Sequence, residues 1–174
     1  MLLATLPRPF VEPQVGTEID PLMRAAMPTI IAVRRWLQSA LAGSDESAPA
    51  VDALVGLGPG LTPSGDDFLC GMMVALHYLG HPMIAQRLAM QTLPIAAHGT
   101  NLISAAYLRY ASAGQASGVL FDALESLVGG GDARLPQRLD AVHAVGHTSG
   151  WDSLAGAATA CTEIAVAAMA DVRP

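Results

Sequence analysis

The spacing of apolar residues constrains the fold more than any other feature of this sequence. Over residues 21–41 these residues recur at intervals of three and four, with Arg34 and Arg35 off the apolar stripe. Such spacing predicts a helix with one buried face. The alternation of apolar and polar positions that is typical of a half-buried strand is nearly absent. The sequence therefore predicts an all-α protein with little or no sheet.

Glycine and proline divide the chain into predicted helices. We expect helices over residues 21–41, 65–79, 82–97, 100–113, 117–128, 136–145 and 150–170. Pro28 should kink the first of them or divide it in two. At 174 residues the chain has the length of one domain. The predicted organisation is an extended N-terminal arm over residues 1–20 and a single domain over residues 21–174, folded as a helical bundle or orthogonal array.

The composition is unusually apolar, with 52% hydrophobic and only 14% charged residues, whereas soluble domains have roughly 45–50% and about 25%. We expect part of this apolar surface to contact another subunit. No apolar run reaches the roughly 18 residues of a membrane span, so the stretch 154–170 is interpreted as a buried helix. The N-terminus lacks the pattern of a secretory signal. The prediction is a cytoplasmic protein with no membrane partner.

The charged residues narrow the classes of ligand. Nine basic residues, all arginine, face fifteen acidic ones, and the net charge is −6. No basic cluster is interleaved with aromatic residues, which argues against a nucleic-acid partner. Without lysine, Schiff-base chemistry and a P-loop are excluded. Cys70 and Cys161, far apart in apolar stretches, are interpreted as buried thiols.

A short pattern occurs twice, each time at a predicted helix start. Residues 64–71 (SGDDFLCG) and 149–156 (SGWDSLAG) share Ser-Gly-x-Asp-x-Leu-x-Gly, and Gly-x-Thr precedes each copy. We expect the two helix starts to lie close together around an approximate two-fold axis. Gly71 and Gly156 would permit close helix packing, because glycine has no side chain to hold the helices apart.

The pattern also has the chemistry of a helix N-terminus. If Ser64 is the N-cap, its hydroxyl can accept a backbone N–H bond while Asp67 reaches back to form a capping box. Alternatively, Pro63 occupies the first helical position and Thr62 is the cap. Ser149 and Asp152 would repeat the serine-capped arrangement. In the simplest interpretation these residues only begin two helices.

A glycine-rich turn that leads into a helix start is also suited to a small anion, because free N–H groups and the helix dipole meet there. Asp66 and Asp67 would repel such an anion unless a divalent cation or a protonated histidine lies between them. These two and His147 are therefore the candidate catalytic residues. Asp66 and Asp67 are also the candidate metal ligands, with Mg²⁺ as the metal, although the sequence establishes no cofactor. The candidate substrate-binding residues are Gly58, Gly60, Thr62, Ser64, Gly65, Thr148, Ser149, Gly150 and Asp152.

Residues 56–69 (GLGPGLTPSGDDFL) and 146–156 (GHTSGWDSLAG) resemble a bacterial family catalogued as a domain of unknown function. Its named representative is the H-type subunit of oxamate carbamoyltransferase, and the resemblance covers residues 51–156. It implies participation in carbamoyl transfer between carbamoyl phosphate and a small acid such as oxamate, in purine and allantoin nitrogen salvage. It also implies partner subunits, either copies of this chain or other carbamoyltransferase subunits. The alternative is a non-catalytic assembly or anion-binding subunit in which the motif is structural.

Overall fold

The computed structural model describes residues 20–130 and 133–171, and within these ranges it consists of helices and connecting turns without a strand. The all-α prediction is confirmed. The helices are α1 (Pro21–Leu41), α2 (Ser64–Tyr78), α3 (Pro82–Gly99), α4 (Leu102–Ser112), α5 (Gly118–Val128), α6 (Leu135–His143) and α7 (Ser149–Asp171). Each lies where the apolar spacing and the glycine and proline positions predicted a helix.

Helix α1 is one continuous helix. Its N-cap is Asp20, whose Oδ1 accepts a bond of 2.7 Å from the N–H of Leu22. Pro28 lies inside the helix, so the alternative in which Pro28 divides it is wrong. The predicted N-terminal arm lies outside the described residues except for Asp20.

Helix α2 is the centre of the fold. Its large side chains, including Phe68, Met72 and Leu76, are fully buried, and it packs against α3, α4 and α7. Helix α7 also contacts α1, α5 and α6. The pair formed by α2 and α7 therefore organises the core, and both of its helices begin with the repeated pattern.

The two helices touch backbone to backbone at the last glycine of each pattern. A Cβ atom at Gly71 would lie 1.8 Å from the carbonyl oxygen of Ser153, and one at Gly156 would lie 1.9 Å from that of Phe68. Ser153 and Phe68 hold the same position in the two copies of the pattern. The contacts thus exchange across an approximate two-fold axis, which confirms the predicted proximity.

The relationship extends to the segments before each helix. A Cβ atom at Gly65 would lie 2.0 Å from the carbonyl oxygen of Leu54, and one at Gly150 would lie 2.0 Å from that of Val142. In addition, Gly65 N–H donates to the carbonyl of Leu57 at 3.0 Å, and Gly150 N–H donates to that of Val145 at 3.1 Å. These preceding segments share no sequence pattern, so the sequence did not predict this part of the symmetry.

By length and composition alone, residues Ser149–Ala170 of α7 could cross a membrane. In the structure this helix buries Asp152 and Glu163. Arg34 Nε and Gln38 Nε2 of α1 each donate a bond of 2.7 Å to the carboxylate of Glu163. The first part of α7 is thus a core helix, whereas Val166 and Met169 near its end are exposed. The prediction that the whole stretch is buried was wrong for that end, because no described helix covers it.

Replacing Gly71 by alanine tests the helix contact. The new methyl group would collide with the Ser153 backbone, and overpacking of this kind costs about 1–3 kcal/mol or more. We expect Gly71→Ala to lower the free energy of unfolding by at least about 2 kcal/mol in urea denaturation. Gly118→Ala is the matched control, because a Cβ atom there meets nothing within 4 Å. Equal stability of the two variants would contradict the close contact.

Candidate functional site

The turn before α2 depends on glycine at two positions. Gly56 has φ 75° and Gly58 has φ 116°. Residues other than glycine rarely adopt these positive backbone angles. A Cβ atom at Gly56 would also lie 2.1 Å from the carbonyl oxygen of Gly99, and one at Gly58 would lie 2.9 Å from the nitrogen of Ser64. The turn therefore packs tightly against both the end of α3 and the start of α2, with Gly60 and Leu61 exposed at its tip.

Neither predicted N-cap of α2 is correct. The helix begins at Ser64, its N-cap is Pro63 with φ −54° and ψ 143°, and no side chain caps it. The N–H of Asp67 donates to the carbonyl of Pro63 at 3.0 Å. The proline ring fixes the φ angle of Pro63 at the residue before the helix. The side chains of Ser64 and Asp67 do not cap the helix. They are available for contacts with the second copy.

These polar side chains bond across the two copies of the pattern. The hydroxyls of Thr62 and Ser149 lie 2.6 Å apart and share one hydrogen bond, and both lie close enough to the carboxyl group of Asp67 to lower its pKa. In the other direction, Asp152 receives hydrogen bonds from Ser64 and Thr148. Each aspartate thus lies next to one hydroxyl from its own copy of the pattern and one from the other copy. The two helix starts form a single polar cluster.

The cluster has more acceptors than donors. Asp67 is 7% exposed and Asp152 is 4% exposed, and the Oδ2 atom of each has no hydrogen-bond partner among the described residues. An ionised carboxylate offers about four acceptor positions, whereas each hydroxyl supplies one hydrogen. Since an unpaired buried polar atom costs roughly 1–3 kcal/mol, this arrangement is unfavourable in the absence of a donor.

Burial dominates the protonation of both aspartates. It raises the pKa of Asp67 to about 7, and the hydrogen bonds from Ser149 and Thr62 oppose that rise while the charges of Asp152 and Asp66 add to it. Burial likewise raises the pKa of Asp152, against the hydrogen bonds from Ser64 and Thr148. At neutral pH Asp67 is close to its midpoint, which is the condition under which a carboxyl group accepts and returns protons most effectively.

Asp66 lies beside this cluster but is fully occupied. Its Oδ1 accepts the Gly56 N–H at 2.8 Å, and its Oδ2 accepts the hydroxyls of Thr100 at 2.5 Å and Ser104 at 2.6 Å. Asp66 therefore ties the glycine turn to the junction of α3 and α4. In the described structure it positions the turn and has no orphaned atom to offer a ligand.

The structure brings most of the predicted site residues together, except for the histidine. Thr62, Ser149 and Asp152 act on Asp67, and Ser64 and Thr148 act on Asp152. Gly58, Gly60, Gly65 and Gly150 belong to the adjoining turns and helix starts. His147 is exposed on the turn before α7, and no hydrogen bond of its ring to another described residue is present.

Metal and thiol chemistry find little support among the described residues. No group of three or more His, Cys, Asp or Glu side chains there could hold a metal ion, so a cation at Asp67 would have to complete its coordination with other ligands. Burial, with the charges of Asp67 and Asp66, raises the pKa of Cys70 well above its ordinary value. Burial raises the pKa of Cys161 to about 11. Both cysteines therefore remain thiols at neutral pH.

A family model described as oxamate carbamoyltransferase subunit AllH matches residues 54–161. The chain belongs to this family. The matched segment begins at Leu54, whose carbonyl contacts Gly65, and it ends within α7. It thus contains both copies of the pattern and the whole polar cluster. No solved structure matches the chain.

The raised pKa of Asp67 makes stability depend on pH in a particular direction. Its pKa rises from 3.8 to about 7 on folding, so the folded chain binds the proton more tightly than the unfolded chain. The protonated Asp67 therefore adds to the free energy of unfolding below about pH 4, and this contribution is lost as the pH rises through about 7. About three pKa units correspond to a loss of up to about 4 kcal/mol.

Urea denaturation at a series of pH values checks this expectation. Asp67→Asn, which cannot ionise, should make the decline between about pH 4 and pH 8 clearly smaller, and the raised pKa of Asp152 accounts for the decline that remains. Asp52→Asn is the matched control, because Asp52 is exposed, and it should keep the decline. A slope that Asp67→Asn leaves unchanged would show that Asp67 ionises normally in the folded chain.

Proposed function

We propose that the chain is a subunit of a carbamoyltransferase-type enzyme and that the polar cluster is its substrate site. The substrates would be carbamoyl phosphate and a small acid such as oxamate. The observation that carries the proposal is the pair of buried Oδ2 atoms without partners on Asp67 and Asp152. Membership of the AllH family, whose description names a carbamoyltransferase subunit, supports the reaction class.

In this proposal the turn and the helix starts bind the anionic part of the substrate. Gly60 and Leu61 are exposed at the tip of the turn, and neither backbone N–H donates to another described backbone group. The positive ends of the α2 and α7 dipoles lie nearby, which favours a phosphate or carboxylate. Thr62, Ser64, Thr148 and Ser149 belong to the proposed site because their hydroxyls hold the two aspartates in place. Gly58, Gly65 and Gly150 allow the backbone to approach closely.

Asp67 is proposed as the proton acceptor. The nitrogen of the acceptor acid attacks the carbamoyl carbon, the new C–N bond forms, and the C–O bond to phosphate breaks with its electron pair leaving on phosphate. The nitrogen loses one proton, which passes to Asp67, whose pKa near 7 suits it to take that proton at neutral pH. Asp66 keeps the turn in place for this step. The exposed His147 could assist only after the turn before α7 moves or a partner covers it.

The cellular setting is also a proposal. An enzyme of this class would work in the cytoplasm, in nitrogen salvage from purines and allantoin, together with other subunits or further copies of this chain. The family description names a subunit, which makes other subunits plausible. The face of α4 that carries Leu102, Tyr107 and Tyr110 is exposed, Leu102 being 86% accessible. Apolar faces of this kind commonly mark contacts between subunits.

The second candidate function is a non-catalytic assembly or anion-binding subunit. The full occupation of Asp66 favours it, because that residue does structural work next to the cluster. In that case Asp67 and Asp152 would share a proton between them and need no ligand. Such sharing is common in carboxylate pairs that cannot both ionise.

Asparagine substitutions separate the two functions. Asp67→Asn and Asp152→Asn keep the side-chain size but remove the ionisable group, so turnover should fall by about 10²-fold or more, the size typical of lost acid–base catalysis. The melting temperature at neutral pH should not fall, because each substitution removes a buried carboxyl group whose ionised form is disfavoured by burial. The assay is oxamate-dependent phosphate release from carbamoyl phosphate by the complete complex carrying the variant chain.

Asp52→Asn serves as control and should retain full turnover, because Asp52 is exposed. Retained turnover in both cluster variants would support the non-catalytic function instead. Circular dichroism of each variant shows that the helical fold persists.

A further inference from the structure

We propose that two copies of this chain form a symmetric dimer by packing their exposed α4 faces against each other. The contact surface, which we call the α4 stripe, consists of Leu102, Ile103, Ala106, Tyr107 and Tyr110. The partner is therefore a second copy of this chain. The inference does not rest on the proposed reaction, because it concerns the assembly of the chain.

The α4 stripe lies on one side of its helix. Its residues are spaced by one and three positions, which at about 3.6 residues per turn places all five on one face. The four large side chains of the stripe are 46–86% exposed, and the stripe lines a shallow groove of about 360 Å³. The other side of α4 packs against α2 and α3, and its buried residues are Ser104, Ala105, Leu108 and Ala111. The helix thus has one face toward its own domain and a second, apolar face toward solvent.

The exposed area of this surface is sufficient for a dimer. Leu61 at the tip of the glycine turn adds to it, because Asn101 at the start of α4 donates to the Leu61 carbonyl at 2.9 Å and Leu61 is itself exposed. With Leu61 included, the exposed apolar side chains present on the order of 600 Å², the upper end for the largest apolar patch on a typical monomer. Two copies would together bury on the order of 1,200 Å², which is the lower end for a stable, specific interface.

The charges of α4 favour a second copy over a charged partner. Helix α4 contains no acidic residue. Its one charged residue, Arg109, lines a different groove with Leu93 and Ala105, between α3 and α4. The stripe therefore offers a charged partner no opposite charge, whereas an identical apolar surface needs none. A contact between two identical surfaces closes with two-fold symmetry, the commonest arrangement of soluble oligomers.

The order of residues in the stripe predicts how the two copies meet. Ala106 is at its middle, with Leu102 four positions before it and Tyr110 four positions after it. In an antiparallel pair with the two-fold axis at Ala106, Leu102 of one copy lies opposite the partner's Tyr110, and the reverse pair lies on the other side of the axis. The small side chain of Ala106 lets the two helices approach, while each tyrosine ring packs on an aliphatic side chain.

The dimer would also affect the glycine turn. The side chain of Asn101 joins the turn to α4, because its Oδ1 accepts the N–H groups of Ile103 and Ser104 while its Nδ2 donates to Leu61. A second copy that covers Leu102 and Leu61 would therefore cover the tip of the turn. The partner would then form one wall of any site at that tip.

Sedimentation velocity of the full chain tests the proposal. We expect the parent chain to sediment at twice the mass of one chain at micromolar concentration. Tyr107→Asp should weaken the dimer at least about 100-fold, because each copy would then bury a carboxylate without a partner. Met83→Asp is the matched control, because Met83 is an exposed large apolar residue of α3 outside the stripe, and it should leave the dimer unchanged. Circular dichroism checks the fold, and Tyr110→Asp replaces Tyr107→Asp if the latter does not fold.

Ala106→Cys tests the position of the two-fold axis. A disulfide requires Cα atoms roughly 4.4–6.8 Å apart, and between identical residues of two copies only positions beside the axis come so close. We expect Ala106→Cys to form a covalent dimer under mild oxidation. The parent chain should not, because Cys70 and Cys161 remain thiols, and neither should Gly118→Cys, at an open position of α5.

The outcomes that would overturn the proposal are distinct. A parent chain that stays monomeric at about 100-fold higher concentration would leave the stripe to a different subunit. A dimer that persists in Tyr107→Asp and forms no disulfide in Ala106→Cys would show that the copies meet at another surface. Neither result depends on turnover, so a failure of this inference is distinguishable from a failure of the proposed function.

Discussion

The structure depends on the direct contact between the backbones of α2 and α7. Gly71 and Gly156 leave no room for a side chain at the crossing, so the two helices approach more closely than side-chain packing would permit. Because the contact is repeated around an approximate two-fold axis, it fixes both the position and the register of the two helix starts. The polar residues of the repeated pattern are thereby brought together in one cluster at the starts of the two helices.

The same close approach explains the electrostatics of the cluster. Two aspartates on separate helix starts are withdrawn from water, burial raises the pKa of each, and the charge of Asp152 adds to the rise at Asp67. Such a pair is unusual in a chain with so few charged residues, since buried polar atoms normally have hydrogen-bond partners. Strongly perturbed carboxyl groups of this kind are concentrated at functional sites. The surrounding hydroxyls and the hydrogen bonds of Asp66 hold the pair in place, but the Oδ2 atom of each aspartate remains without a hydrogen-bond partner.

Much of this could be predicted from sequence, for identifiable reasons. Helix positions follow from apolar spacing and from glycine and proline, and the proximity of the two helix starts follows from the repeated glycines. The caps were mispredicted because serine at a helix start is equally suited to capping its own helix or bonding to another, and only tertiary structure decides. The partners of Asp66, Thr100 and Ser104, lie more than thirty positions away and share no pattern with it. The sequence likewise could not predict the unpartnered Oδ2 atoms, because whether a hydrogen-bond donor reaches each oxygen is decided by the tertiary structure.

The protonation of Asp67 in the folded chain tests the central claim most directly. Carbon-13 NMR of the aspartate carboxyl carbons, followed across a pH series, measures each titration separately. We expect Asp67 to titrate near pH 7, and its midpoint to move toward the ordinary aspartate value in Asp152→Asn, where the neighbouring charge is gone. A midpoint near the ordinary aspartate pKa of about 3.9, unaffected by Asp152→Asn, would contradict a shared buried site.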